Sequence, residues 1–266
     1  MRDDLFRVAT FNANSIRVRL DQILAWMEKE SADVVCVQET KVQDADFPRE
    51  TVEEAGYQVV FRGQKGYSGV AVISREASQD VHYGFDGGGE EEQDEPRLIR
   101  VVVQGIPIVN TYVPQGRSAD APEFQYKLEW FDRLRDLFER NYSPDEPLLW
   151  VGDFNVAPEP IDIHDPDRLK NHVDFHPKAR AALARVRAWG FVDLFRHHHP
   201  DEVQYTYWDY RTRNALERGL GWRVDHIWAT EPLVEKSRDV WVDEEARRAE
   251  RPSDHTFVVA EFELGV

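Results

Sequence analysis

Five short polar clusters, each beside an apolar run, carry the chemistry open to this chain. Leu149-Trp150-Val151 leads at once into Gly152, Asp153 and Asn155, and Val34-Val35-Cys36-Val37 into Gln38 and Glu39. Phe11 leads into Asn12 and Asn14, Val224 into Asp225, and Pro252-Ser253 into Asp254 and His255. Asp153 and Asn155 alternate along an extended backbone, so both can face one side. A carboxylate beside an amide can hold and polarise a water for in-line attack on phosphorus. Asp225, hydrogen-bonded to one nitrogen of His255, would fix its tautomer and leave the second nitrogen for a phosphate oxygen. Glu39 suits a hydrated Mg²⁺ or Mn²⁺, which takes hard oxygen ligands and often only one or two carboxylates. Asp254 could serve the metal or the leaving group. Each cluster alone has a plainer reading: Gly-Asp is ordinary turn chemistry, Asn12 and Asn14 could cap a helix, and Glu39 could form a salt bridge. The five together point to a phosphoesterase.

Such clusters must be held at one end of a sheet, where open α/β folds build their sites. Apolar runs predict strands over 6–12, 34–38 and 69–74, and a hairpin of 98–104 and 106–113 about Gly105. Leu20, Ile23, Leu24 and Met27 recur at helical spacing, which predicts a helix over 18–29. Phe124, Leu128, Phe131, Leu134, Leu137 and Phe138 predict the longest helix, 122–141, and a third covers 179–189 before Gly190. Strands return at 204–208, 222–229 and 256–262. The run 87–95, Gly and Glu for the most part, reads as a solvated loop, and His197-His198-His199 before Pro200 as surface. No repeat of 20 to 50 residues is visible, so the pattern predicts one layered α/β domain over 1–266.

With 266 residues, 41% apolar and 8 Trp, the chain can bury a large core. No stretch approaches the ~20 apolar residues of a membrane span, and the start Met1-Arg2-Asp3-Asp4-Leu5 lacks an apolar signal core. A cytoplasmic protein is expected. Cys36, the single cysteine, cannot form an internal disulfide and reads as a small buried hydrophobe. The net charge of −17 argues against a polyanionic partner, although bound metal would offset carboxylates at a site. The 26 Arg against 7 Lys suit bidentate phosphate contacts, although genome composition could produce the same bias.

Longer strings carry a resemblance. They are Thr10-Phe11-Asn12-Ala13-Asn14-Ser15-Ile16-Arg17, Val37-Gln38-Glu39-Thr40-Lys41, Gly66-Tyr67-Ser68-Gly69-Val70-Ala71 and Tyr112-Val113-Pro114-Gln115-Gly116. Three more follow: Gly152-Asp153-Phe154-Asn155-Val156-Ala157-Pro158-Glu159, Trp222-Arg223-Val224-Asp225-His226 and Pro252-Ser253-Asp254-His255. In order and spacing the chain resembles the exonuclease III family of apurinic/apyrimidinic endonucleases, within the wider endonuclease/exonuclease/phosphatase superfamily. The resemblance implies a DNase I-like four-layer α/β sandwich, two packed mixed sheets flanked by helices. It also implies Mg²⁺-dependent cleavage 5′ to abasic sites in double-stranded DNA by a monomer, near the nucleoid during repair. Glu39 would hold the metal with Asn12 and Asp254 nearby. Asp153 would position the water with Asn155, and Tyr112 and His255 would contact the phosphate, with Asp225 orienting His255. Tyr112 would otherwise read as sheet packing.

The same resemblance makes Tyr207, Trp208, Trp222 and Val224, with Asn14 and Gln115, the pocket for a flipped, base-less sugar. A Trp/Tyr-rich core strand is the alternative. Arg117 and Arg211 become candidates for insertion into a kinked duplex. Gln115 stands where many relatives have Asn, and His226 where many have an aromatic or aliphatic residue. Two other classes stay open: a phosphatase or sphingomyelinase acting on inositol phosphates or lipid headgroups, and an inert nucleic-acid-binding relative. The intact Glu39, Asp153 and His255 oppose the second.

Overall fold

The computed structural model describes residues 5–85 and 95–264, so all of the predicted 87–95 loop except Glu95 lies outside the described residues. In chain order the strands are β1 (Leu5–Asn12), β2 (Val34–Gln38), β3 (Gln58–Arg62), β4 (Val70–Ser74), β5 (Gln79–Tyr83) and β6 (Leu98–Val103). They continue with β7 (Ile106–Tyr112), β8 (Leu149–Asp153), β9 (Phe191–Asp193), β10 (Asp225–Thr230), β11 (Ser237–Asp243) and β12 (Phe257–Glu263). The helices are α1 (Ile16–Lys29), α2 (Arg49–Glu54), α3 (Pro122–Asn141), α4 (Pro177–Arg187), α5 (Leu194–His198) and α6 (Glu231–Val234).

Two mixed sheets result, with strand orders β11-β12-β1-β2-β4-β3 and β5-β6-β7-β8-β10-β9. Each has one parallel pair at its centre, β1/β2 and β7/β8, with α1 and α3 as the respective crossovers. All other neighbours run antiparallel. The pattern is thus laid down twice without any sequence repeat to announce it.

Side chains alternate between the faces of a strand, and here both faces are buried. Val8, Cys36 and Val72 of the first sheet meet Val101, Ile108, Val151 and Ile227 of the second in a central core. Outside the first sheet, Ala9, Phe11, Val35 and Val37 pack with Ile16, Leu20, Ile23 and Met27 of α1. Outside the second, Val109, Trp150 and Trp228 pack with Phe131, Leu134 and Phe138 of α3 and Leu183 of α4. The layers are helix, sheet, sheet, helix, as expected. Cys36 sits in the inter-sheet core, where burial pushes its thiol up. A polar bolt crosses that core near the functional end. The Gln38 amide donates to Thr10 Oγ1 (2.9 Å) and Asn110 Oδ1 (2.8 Å), and Asn110 donates back to the carbonyls of Val37 and Ala71.

The hairpin of β6 and β7 turns at Gln104 and Gly105, both at positive φ (50° and 78°), the backbone of a tight two-residue turn. Departures from the predicted elements have identifiable causes. α1 starts at Ile16, and β3, β5, β9 and β11 were not predicted. Those four are the sheet edges, short or half-exposed, and their apolar residues come in runs of three at most, flanked by polar or charged ones. Residues 204–208 make only isolated bridges, and the strand predicted over 222–229 begins at Asp225. Aromatic enrichment there signals burial, not pairing. His198 and His199 are half-buried against β11, bonded to Ser237 Oγ and the Val240 carbonyl, so the histidine run is only partly surface. Among the described residues no helix is long and apolar enough to cross a membrane.

Candidate active site

The strand ends converge on one cleft of about 270 Å³, lined by Asn14, Glu39, Lys41, Tyr112, Gln115, Asn155, Asp174, Tyr207, Val224, Asp254 and His255. It lies over the seam between the sheets. Asn12, Glu39 and His255 come from the ends or approaches of β1, β2 and β12, while Tyr112, Asp153 and Asp225 come from β7, β8 and β10.

Backbone constraints place these groups. Gly152 has φ 138°, and a Cβ there would lie 1.9 Å from the Thr111 carbonyl oxygen of β7, so only glycine lets β8 run this close. Asp153 and Asn155 follow, Asn155 with φ 48°. Glu39 is also at positive φ (52°), as are Asn14 (45°) and Lys41 (54°). Cross-bonded loops hold these conformations: Ser15 N–H donates to the Glu39 carbonyl, Ile16 N–H to Thr40, and Lys41 N–H to Ser68.

Asn12, buried between the sheets, donates through one amide nitrogen to Glu39 Oε1 (2.9 Å) and Asp153 Oδ2 (2.9 Å), and its own Oδ1 accepts from Asn14 N–H. Both ends of the amide are engaged, so Asn12 ties the two carboxylates together at the place where the sequence suggested a metal ligand. Asp153 Oδ1 accepts from Asn155 N–H (2.8 Å), and Oδ2 also meets Asn155 Nδ2 (3.3 Å). Burial, then the nearby Asp225, raises the Asp153 carboxyl to about 8. His255 Nδ1 pairs with Asp225 Oδ2 at 2.8 Å, leaving Nε2 on the cleft side, 4.0 Å from Asp153 Oδ2. Burial works against protonation of His255, but Asp225 outweighs it and carries the imidazole up to about 10. Tyr112, raised well above its ordinary value by burial and by Glu39 and Asp153, stays a hydroxyl donor.

Oxygen or nitrogen atoms of Glu39, Asp153 and His255 lie within 4.8 Å of one another, a group that could hold a metal ion. The surroundings fit a cation. Lys41 Nζ lies 2.7 Å from Glu39 Oε2 and bonds Asn14 Oδ1, and, although burial pushes the other way, it helps hold Glu39 below the usual carboxylate range. Asp254 stands on the far side of Asn14, accepting from its amide at 2.9 Å.

The predicted pocket residues divide. Tyr207 and Val224 form a wall, with Asn14 and Gln115 also facing the cleft. Trp208 and Trp222 do not line it: both are buried, and Trp222 packs behind the wall with Ala157, Ile163, Phe175 and Val224. Arg117 and Arg211 stand outside, exposed and ion-paired with Glu123 and Asp209 at 2.9 Å. Lys41 and Asp174 line the cleft without having been assigned a role from sequence, and Lys127, which holds Asp174, was missed. Lys127 did leave a signal, since it lies three residues after Phe124 and four before Phe131 on the apolar face of α3. Asp174 sits in an irregular segment and left none.

His226 faces away from the cleft, because neighbours along β10 alternate faces. It is buried, and its ring meets Arg223 Nη1 (3.0 Å) and the Val156 carbonyl (3.0 Å). Arg223 in turn bridges Asp162 and Asp193, fixing the segment that presents Val224 and Asp225. Burial, then Arg223, lowers His226 from 6.5 to about 4. The unfolded chain therefore binds a proton below pH 6.5 that the folded one refuses until about pH 4. Stability should fall as pH drops through that window, by up to about 3 kcal/mol from this group. Denaturant unfolding at pH 7, 5.5 and 4.5 checks it: His226→Gln should flatten the slope, and an unchanged slope would assign the loss elsewhere.

Comparison with known proteins gives this geometry a family. Residues 9–255 match the model of the endonuclease/exonuclease/phosphatase family. The exodeoxyribonuclease III of Haemophilus influenzae is 33% identical over 95% of this chain and 98% of its own. An AP endonuclease from Archaeoglobus fulgidus superposes with a TM-score of 0.94 at 48% identity, covering 97% of this chain and 100% of that one. A 3′ phosphatase from Neisseria, solved with a product DNA hairpin, gives 0.91 at 34% identity over 97% and 99% of the two chains. With a match running through nearly every strand end that builds the cleft, the chain belongs to the endonuclease/exonuclease/phosphatase family.

Proposed function

We propose that this protein is a DNA-repair nuclease that hydrolyses the phosphodiester 5′ to abasic sites in duplex DNA. The same site would serve 3′–5′ exonuclease and 3′-phosphodiesterase action. The observation that carries the reading is the meeting of the Asn12–Asp153–Asn155 group with the Asp225–His255 pair across one cleft. The relatives, an exodeoxyribonuclease, an AP endonuclease and a 3′ phosphatase, support the substrate class. The unit is proposed as one domain, 1–266, acting as a monomer in the cytoplasm and at the nucleoid.

Asp153 accepts the proton of the attacking water; its raised basicity suits a general base near neutral pH. Asn12 and Asn155 aim its oxygens. His255 keeps its proton and offers Nε2–H to a non-bridging phosphate oxygen, with the Tyr112 hydroxyl as a second donor. Glu39 would hold Mg²⁺ or Mn²⁺, with Asp153 in reach and Asn14 and Asp254 beside it, while the protonated His255 is left to the phosphate. A bound divalent ion supplies charge neutralisation of the phosphate and eases departure of the leaving oxygen. Tyr207 and Val224 give the sugar a ring and an aliphatic side chain to pack against, beside the polar Asn14, Gln115 and Asp174.

The test is incision of a duplex carrying one abasic-site analogue, with Mg²⁺ or EDTA, beside an intact duplex with a recessed 3′ end. Metal-dependent nicking immediately 5′ to the lesion is the expected result, and shortening of the second duplex measures the exonuclease share. If neither DNA is cut with Mg²⁺ or Mn²⁺, the reading fails, and inositol phosphates and lipid phosphodiesters become the substrates to try.

A further inference from the structure

One fully buried cation takes no part in the chemistry above. Lys127 projects from α3 into the protein behind the cleft, with no exposed side-chain surface. Its Nζ donates to the carbonyls of Asn155 (2.6 Å) and Gln115 (3.0 Å), with the Val173 carbonyl and Asp174 Oδ1 both at 3.3 Å. An ammonium has three protons, and here four acceptors share them.

Those acceptors belong to three separate stretches of chain: the loop after β7, the loop after β8, and the segment before α4. Each stretch also contributes a cleft-lining side chain, namely Gln115, Asn155 and Asp174. Gln115 Nε2 reaches Asp174 Oδ2 at 3.4 Å, and Ala157 N–H donates to the Asp174 carbonyl at 2.7 Å, so the stretches also touch one another. A single head group thus ties the water-side amide to the floor of the pocket.

Stability alone gives little reason to keep it. A buried ion pair is often matched or bettered by a packed hydrophobe, and the neighbouring inner positions of α3 are Phe124, Phe131 and Leu134. Removing the ammonium instead leaves carbonyls of three stretches unpaired.

On the functional reading above, we propose that Lys127 is a positioning residue. It fixes Asn155, Gln115 and Asp174 relative to one another, and so sets where the bound nucleotide sits against Asp153 and His255. It touches no substrate.

Lys127→Met is compared with Leu134→Ala, which damages the same helix away from the cleft. The readouts are kcat and KM on the abasic duplex, affinity in EDTA, and backbone hydrogen exchange. Lys127→Met should lose about 100-fold in kcat, the scale of an ångström-sized misplacement, with affinity in EDTA within about threefold. Exchange should quicken together at Val113, Asn155, Ala157 and Phe175, whose amides bond within these three stretches. Leu134→Ala should leave kcat within about threefold and those amides protected. Wild-type kcat and protection in Lys127→Met would overturn the proposal, as would equal losses in both variants. Should Lys127→Met not fold, Lys127→Arg carries the test. It keeps the charge against Asp174 but spreads it over a planar fork, so a loss of about tenfold with the same deprotection is expected, and wild-type behaviour overturns it. A wild type that cuts no duplex would sink the functional reading instead, and the exchange pattern would then decide the role of Lys127 by itself.

Discussion

Asp153→Asn should lower turnover on the abasic duplex about 10⁴-fold, the upper range for loss of a general base, while affinity in EDTA stays within a few-fold. The substitution is close to isosteric. Its carbonyl can still accept from Asn155 N–H, which holds Oδ1 at 2.8 Å in the native protein. It cannot take a proton, and with its carbonyl on Asn155 it presents an amide nitrogen to the Asn12 amide where Oδ2 accepted a hydrogen bond. The buried electrostatics also change, since a carboxyl raised to about 8 by burial and Asp225 becomes a permanently neutral group. Single-turnover cleavage separates the chemical step from product release, and fluorescence anisotropy in EDTA reads the affinity. Activity within tenfold of wild type would remove Asp153 from the role of base.

Asp225→Asn should act through His255. The 2.8 Å contact between Asp225 Oδ2 and His255 Nδ1 keeps the imidazole protonated up to about pH 10 against the cost of burial. Without that carboxylate, burial prevails and the imidazolium is lost at a lower pH. If the protonated ring is the working form, kcat/KM at pH 8 should fall about 10²- to 10³-fold, the range for losing one preorganised donor. The alkaline limb of the pH profile should also move down. A variant that lost activity with no movement of that limb would mean that Asp225 serves the site by some route other than the protonation of His255.

Much of the site was legible because its residues border apolar runs. Asp153 and Glu39 each follow an apolar stretch that reads as strand, and Asp225 opens one, so their type and place needed no tertiary information. What stayed hidden was how amides and carboxylates share bonds. Neither the capping reading of Asn12 nor the metal reading named the bonds that the folded chain gives it, to Glu39 and Asp153 together. Two sheets had to meet before that pairing existed. The aromatic segment misled in the other direction. Tyr207 and Trp208 are adjacent, yet one faces the cleft and the other is buried beneath it. The chain there bends around Trp222, whose carbonyl accepts both Thr206 N–H and Tyr207 N–H. The central strands were easy to read because both faces are buried and their sequences are continuous apolar runs, whereas the edge strands are shorter or half-exposed and mix in polar residues.

The strand order has a consequence in time. β1, the first of the described strands, is bordered in its sheet by β2 and by β12, the last of them. Until β12 arrives, β1 keeps an open edge, and His255, two residues upstream of β12, has not been delivered. A chain still emerging from the ribosome therefore owns Glu39, Tyr112 and then Asp153 before it has the histidine. The histidine and the strand that closes β1 arrive together, so the Asp225–His255 pair cannot form before that sheet edge is covered.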